Sequence, residues 1–270
     1  MHASKLNDRG GINLQEIKIL NLVPVIQSDC LSCEDAEIRI ALDKTLQKQT
    51  KGLVRLDSVF VDKGSTALEC AYELAVSLPY IMEKAKWSER NGYSAVLLDC
   101  FMDPGLDECR ELLDIPVIGA CQSACSLAAR LAGQFSVLMT TDSVERSISN
   151  LLVKYGMGDF YKPCDALDIP VLDLYTDRKK VVERAVEVGM KAIKRSKAKA
   201  LVLGCTCMSD LVEPISAALA ERGYPVLVID PLRAAVYDAV ACVLMGVSQS
   251  RLAYQLQVNK KKIYVDFNIL

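Results

Sequence analysis

Apolar positions along this chain fall into short unbroken runs, separated by longer stretches with helical spacing. Ile17-Lys18-Ile19-Leu20-Asn21-Leu22, residues 53–61, Ala95–Leu98, Pro116-Val117-Ile118-Gly119, residues 135–139, Pro170-Val171-Leu172, Ala200–Leu203 and residues 225–229 read as strands. Ser32 with Asp35 makes a capping-box start for a helix to about Thr50. Thr66 with Glu69 opens the next, which Pro79 kinks or restarts and Asn91-Gly92 ends. Asp103-Pro104 supplies an N-cap and a first helical position for a helix to about Leu113. Further helices are expected over 122–131, from Thr141 to about Tyr155, over 179–195, from a Ser209 cap to Arg222, and over 232–244. Strand and helix alternate, so the predicted class is α/β, with parallel sheets flanked by helices. The tail, residues 263–269, alternates apolar and polar and reads as an edge strand or a subunit contact.

The pattern repeats. Ala95–Leu98, Cys100 and Pro116-Val117-Ile118 are answered by Ala200–Leu203, Cys205 and Pro225-Val226-Leu227. Each half runs strand, cysteine turn, helix, then a Pro-Val strand. This predicts two pseudo-symmetric lobes. Residues 1–119 with 232–270 form the lobe carrying Cys100, and residues 120–231 the lobe carrying Cys205. Ligands of parallel sheets bind beyond the carboxyl ends of strands, where both cysteines lie, so the site is expected in the inter-lobe cleft. Each cysteine shortly precedes a helix start, a setting that favours thiolate over the free thiol with its pKa of about 8.5. A facing thiol pair is suited above all to removing a proton beside a carbonyl and returning one to the opposite face. Backbone N–H groups of the two turns can hold the enolate formed in between.

Composition narrows the chemistry. The chain has 270 residues, 51% apolar and 24% charged, which is globular. A net charge of −2 argues against a nucleic-acid partner, and Lys260-Lys261-Lys262 reads as a solvated patch. No run reaches about 18 apolar residues, so no membrane partner is expected. The polar start lacks a signal-peptide core, which points to the cytoplasm. Eleven cysteines, an odd number, suit a reduced chain in which Cys70, Cys109 and Cys242 are buried filler in helices. Cys121 and Cys125 are four apart and face a lobe interior. Cys207 reads as a bystander. Cys30-Leu31-Ser32-Cys33 has metal-like spacing but no second pair, so no metal is expected. The single histidine, His2, lies in a loose arm, which leaves no imidazole for a Ser-His-Asp or Cys-His site. Catalysis therefore falls to thiols, carboxylates, lysines or backbone amides, without a cofactor.

The motifs Cys100-Phe101-Met102-Asp103-Pro104-Gly105-Leu106 and Leu203-Gly204-Cys205-Thr206-Cys207-Met208, with Ile229-Asp230-Pro231, resemble the aspartate/glutamate/hydantoin racemase superfamily. Within it they are most similar to the hydantoin and allantoin racemases. The resemblance covers most of the chain from about Ser94 onward. It implies a cofactor-independent racemase or epimerase with Cys100 and Cys205 as its two acid/base residues. It implies substrate contacts from Phe101, Thr140, Thr141 and Thr206, while Met102, Gly119 and Gln122, a polar helix-start residue near the cleft, are further candidate contacts. The partner is a small molecule with an acidic α C–H, and the assembly a homo-oligomer. The subgroup's Asn-Pro-Asn turn after the first strand is replaced by Val23-Pro24-Val25, its Gly and Glu pattern by Gly119-Ala120-Cys121-Gln122, and a common Gly by Cys207. Hydantoin-, allantoin- and amino-acid-like substrates therefore stay open. Two other classes also stand. A single-cysteine decarboxylase or cis–trans isomerase would leave one cysteine dispensable. A non-catalytic binding protein would hold ligand without exchanging its hydrogen.

Overall fold

The computed structural model describes residues 16–27 and 34–256. The expected alternation is realised as two sheets. β1 (Ile17–Val23), β2 (Val54–Phe60), β3 (Ala95–Leu98) and β4 (Val117–Gly119) form the first, in the order β2-β1-β3-β4. β5 (Phe135–Leu138), β6 (Ala200–Leu203) and β7 (Leu227–Ile229) form the second, in the order β5-β6-β7. All neighbouring strands are parallel. Parallel strands need crossover helices, which bury both faces and explain the unbroken apolar runs.

The helices are α1 (Glu34–Gln49), α2 (Ala71–Arg90), α3 (Leu106–Leu112), α4 (Ala120–Ala132), α5 (Glu145–Lys154), α6 (Arg178–Lys191), α7 (Val212–Glu221) and α8 (Pro231–Met245). Leu42 and Leu46 of α1, with Leu232, Ala235 and Val236 of α8, cover one face of the first sheet against Ile17, Ile19 and Leu97. Ile81 and Ala85 of α2, with Leu106 and Cys109 of α3, cover the other against Leu20, Leu22, Val96 and Leu98. On the second sheet, Cys125 and Ala128 of α4 and Ile148 and Leu152 of α5 pack on Phe135, Val137 and Val202. Val181 and Ala185 of α6 and Ile215 and Leu219 of α7 pack on Leu138, Leu201 and Leu203. Phe101 and Met102 leave the first sheet just after β3 yet bury in the core of the second. Burying one such side chain stabilises by about 1.5–3 kcal/mol, so this turn is anchored by apolar contact. Among the described residues no helix is long and apolar enough to cross a membrane.

Four local expectations differ from the structure. Pro170-Val171-Leu172 is a single 3-10 turn (Val171–Asp173), not a strand. Ile169 N–H already bonds the Thr140 carbonyl, and the Pro170 carbonyl accepts from Asp173 N–H at 3.0 Å, closing a turn. Thr66 does not open α2, which starts at Ala71. The Glu69 carboxylate is instead engaged by Val171 N–H at 3.1 Å. Asp103 does not cap α3, which begins at Leu106 behind a left-handed Gly105, φ +77°. Its carboxylate is taken by α4. Ser209 lies inside a 3-10 turn (Thr206–Leu211), its hydroxyl 2.7 Å from Asp230 Oδ1, and Asp230 caps α8. Ser32, Cys30, Cys33, His2, the 260–262 lysines and the 263–269 tail lie outside the described residues.

Candidate active site

Both cysteines sit just beyond the carboxyl ends of interior strands, β3 in the first sheet and β6 in the second. After β3, Asp99 N–H still bonds the Leu22 carbonyl at 2.9 Å. Cys100 then opens a turn, its carbonyl accepting from Asp103 N–H at 3.1 Å. After β6, Gly204 N–H bonds the Leu138 carbonyl at 2.9 Å, and Cys205 opens the 3-10 turn, with Met208 N–H on its carbonyl at 3.2 Å. Gly204 is required here, because a Cβ would lie 2.7 Å from the Leu138 oxygen. The two turns touch. The Thr206 hydroxyl donates to the Asp99 carbonyl at 3.5 Å, joining the residue after one cysteine to the residue before the other.

Between them lies a cavity that both turns help to line. Of the residues expected to form a site, Cys100, Phe101, Met102, Thr140, Cys205 and Thr206 line it. Gly119, Gln122 and Thr141 are not in its wall. Gly119 ends β4 against the Asp103 carboxyl, which a Cβ would approach to 2.5 Å. The Gln122 amide oxygen accepts from Arg110 at 2.7 Å, on the α3 side. The Thr141 hydroxyl pairs with Ser143 at 2.8 Å. The wall also contains residues outside the expected contact set, among them the Val23-Pro24-Val25 segment that departs from the family pattern. Residues 66–68, Val144 and Val171 are also among them. Cys207 lines it as well, although the sequence reads it as a bystander. Arg39 and Asp99 supply the charge. Their Nε–Oδ2 separation is 2.6 Å, and their side chains are 4% and 0% exposed. Asn21 donates to the same Asp99 oxygen at 2.7 Å. No sequence signal marks Arg39. It stands in a helix pattern where an arginine is ordinarily solvent-facing.

Burial pushes the Cys100 thiol up to about 12. A hydrogen bond with the Met102 backbone opposes this, while the charges of Asp103 and Asp99 and the nearby Cys207 reinforce it. The expected helix-end stabilisation of thiolate does not prevail at Cys100. α3 starts only at Leu106, and the dipole effect fades within the first turn.

A family model described as Asp/Glu/Hydantoin racemase matches residues 40–239, spanning both cysteine turns, three strands of the first sheet and all of the second. The chain belongs to the Asp/Glu/hydantoin racemase family. As a member it is an isomerase of the racemase type. It is 30% identical to the hydantoin racemase of Pseudomonas sp. (strain NS671), over 83% of this chain and 89% of that protein. It is 34% identical to the hydantoin racemase of Rhizobium meliloti, over 69% and 75% of the two chains. The solved allantoin racemase from Klebsiella pneumoniae has the same fold, with a TM-score of 0.81, 24% identity, and coverage of 94% of this chain and 97% of that one. In this racemase-family member the end of β1 and the residues after it, Val23-Pro24-Val25, are part of the cavity wall. The side of the pocket formed there is apolar.

Proposed function

We propose that the cavity is the active site of a cofactor-independent racemase, with Cys100 and Cys205 as its two acid/base groups. The lobes divide as residues 1–119 with 232–270, and residues 120–231. The observation that carries the reading is that both cysteines border one cavity, with their turns in contact through Thr206 and Asp99. Cys100, with its thiol pushed up, rests as the proton donor. Cys205 acts as thiolate and removes the proton from the substrate carbon beside a carbonyl. The electron pair moves onto the carbonyl oxygen as an enolate, held by backbone N–H groups at Phe101 and Thr206. Cys100 then delivers its proton to the opposite face. The enzyme is left with the two protonation states exchanged, and the other enantiomer runs the same steps in reverse.

The substrate proposed is a hydantoin with an apolar substituent at the reacting carbon. The hydantoin racemases among the relatives support the ring. Val23, Val25, Leu68, Val144 and Val171 in the wall support the apolar substituent. Arg39 and Asp99 neutralise each other, so they favour an uncharged ring over the zwitterion of a free amino acid. The test is incubation of 5-substituted hydantoins in D2O with wild type, Cys100→Ala and Cys205→Ala. Wild type exchanges the α-hydrogen and racemises. Each variant loses racemisation by about 10²–10⁴-fold, the range for removing an acid/base group, and keeps at most one-handed exchange. Full racemisation by either variant rejects two-base transfer. Binding without exchange by wild type rejects the enzyme.

A further inference from the structure

Three residues past Cys100, Asp103 makes an unusual set of contacts. It is 4% exposed. Its Oδ1 accepts from Cys121 N–H at 2.9 Å, and its Oδ2 from Gln122 N–H at 2.9 Å and from the Tyr155 hydroxyl at 2.9 Å. Cys121 and Gln122 form the first turn of α4, and Tyr155 follows α5. The carboxylate thus fills two of the free N–H groups of a helix that is not its own. That helix packs on the second sheet, while its Ala120 joins the core of the first. Two further features show that the contact is imposed. Asp103 holds φ +45°, a left-handed conformation for a residue with a side chain. At Gly119 the carboxyl occupies the place of a side chain, 2.5 Å from where a Cβ would be. Strain of this kind persists only where the surrounding contacts over-determine it.

We propose that Asp103 is a positioning residue, a bolt that fixes the Cys100 turn to α4 and α5 and so sets the Cys100 thiol against the lobe carrying Cys205. The inference rests on the two-cysteine reading above. A reacting group displaced by about 1 Å loses about 100-fold in rate, so a turn carrying one of two opposed bases needs such a tie. Asp103 N–H also bonds the Cys100 carbonyl at 3.1 Å, which joins the bolt to the cysteine backbone. The carboxylate charge has a second effect, since it helps keep Cys100 in its protonated, donating form. Arg110 from α3 and the Cys121 thiol from α4 face the same carboxyl, with Tyr155 beyond α5.

Asp103→Asn and Tyr155→Phe test this. Asparagine tolerates the left-handed backbone, but its amide brings N–H donors to a place where acceptors are needed. Tyr155→Phe removes one donor and keeps the ring. For each variant, kcat and KM for both enantiomers and α-hydrogen exchange in D2O are measured beside wild type. In Asp103→Asn, kcat falls about 10–100-fold with KM little changed. Exchange driven by Cys205 from one enantiomer continues, while exchange driven by Cys100 from the other falls. Tyr155→Phe shows a smaller loss with the same handedness. Wild-type turnover of both enantiomers by Asp103→Asn overturns the inference, as does an equal loss of both exchanges, which would mark general damage. If Asp103→Asn does not fold, Tyr155→Phe decides, and wild-type kcat for both enantiomers in it overturns the bolt. A wild type that exchanges no α-hydrogen overturns the two-cysteine reading and this inference with it. Normal Asp103→Asn turnover in a competent wild type overturns this inference alone.

Discussion

At the scale of single residues, Cys100 departs from what its sequence setting predicts. Cys100 follows Asp99 and precedes Asp103, and burial together with these acids holds its proton. A cysteine turn near a helix start was expected to favour thiolate, but desolvation is the larger effect here. Thiolate absorbance near 240 nm is therefore expected to show no Cys100 step below about pH 9 when wild type and Cys100→Ala are titrated in parallel. A wild-type step at lower pH that disappears in Cys100→Ala would contradict the buried-donor assignment. Asp99 and Arg39 make a second residue-scale point. A buried ion pair beside the cavity leaves no trace in hydropathy, because burial of a charge depends on a partner 60 residues away.

At the scale of elements, strand ends decide where the chemistry sits. β6 can end beside β5 only because residue 204 has no side chain. Gly204→Ala pushes a Cβ against the Leu138 carbonyl, and the strands must separate by several tenths of an ångström. Overpacking of this kind is expected to destabilise by about 1–3 kcal/mol and to lower kcat by shifting Cys205. Urea denaturation and kinetics on one preparation check this, and an unchanged midpoint with unchanged kcat would refute the close-approach argument. Element boundaries show the same competition. Glu69 and Asp103 both look like helix-start residues, yet both spend their carboxylates on distant backbone, at Val171 and at Cys121 and Gln122. Local capping lost because the tertiary donors are buried or partly buried, and leaving such N–H groups unpaired costs more than shortening a first turn.

For the whole molecule, Asp103 links pH to stability. Burial raises its carboxyl to about 6, against donors from Gln122, Cys121 and Tyr155 and the charge of Arg110, which lower it. An unfolded chain has about 3.9 for the same group. The folded state therefore keeps the proton longer. The stabilisation from this group is complete below about pH 4 and is lost as pH rises through 6. Relative to Asp103→Asn, wild type is expected to lose up to about 3 kcal/mol of unfolding free energy between pH 4 and pH 7. Denaturation series at four pH values measure this, and a pH-independent difference would show that the carboxyl is not perturbed. The order of strands and helices apart from 170–172, the α/β class and the two matching cysteine turns were legible in the sequence. Apolar periodicity and turn chemistry are local, and parallel strands buried on both faces leave unbroken apolar runs. The Arg39–Asp99 pair, the apolar wall at Val23 and Val25, the absence of Gly119, Gln122 and Thr141 from the cavity, and the use of Asp103 by α4 were decided only by tertiary structure. Each depends on which distant backbone or side chain arrives beside the residue, and no local pattern encodes that arrival.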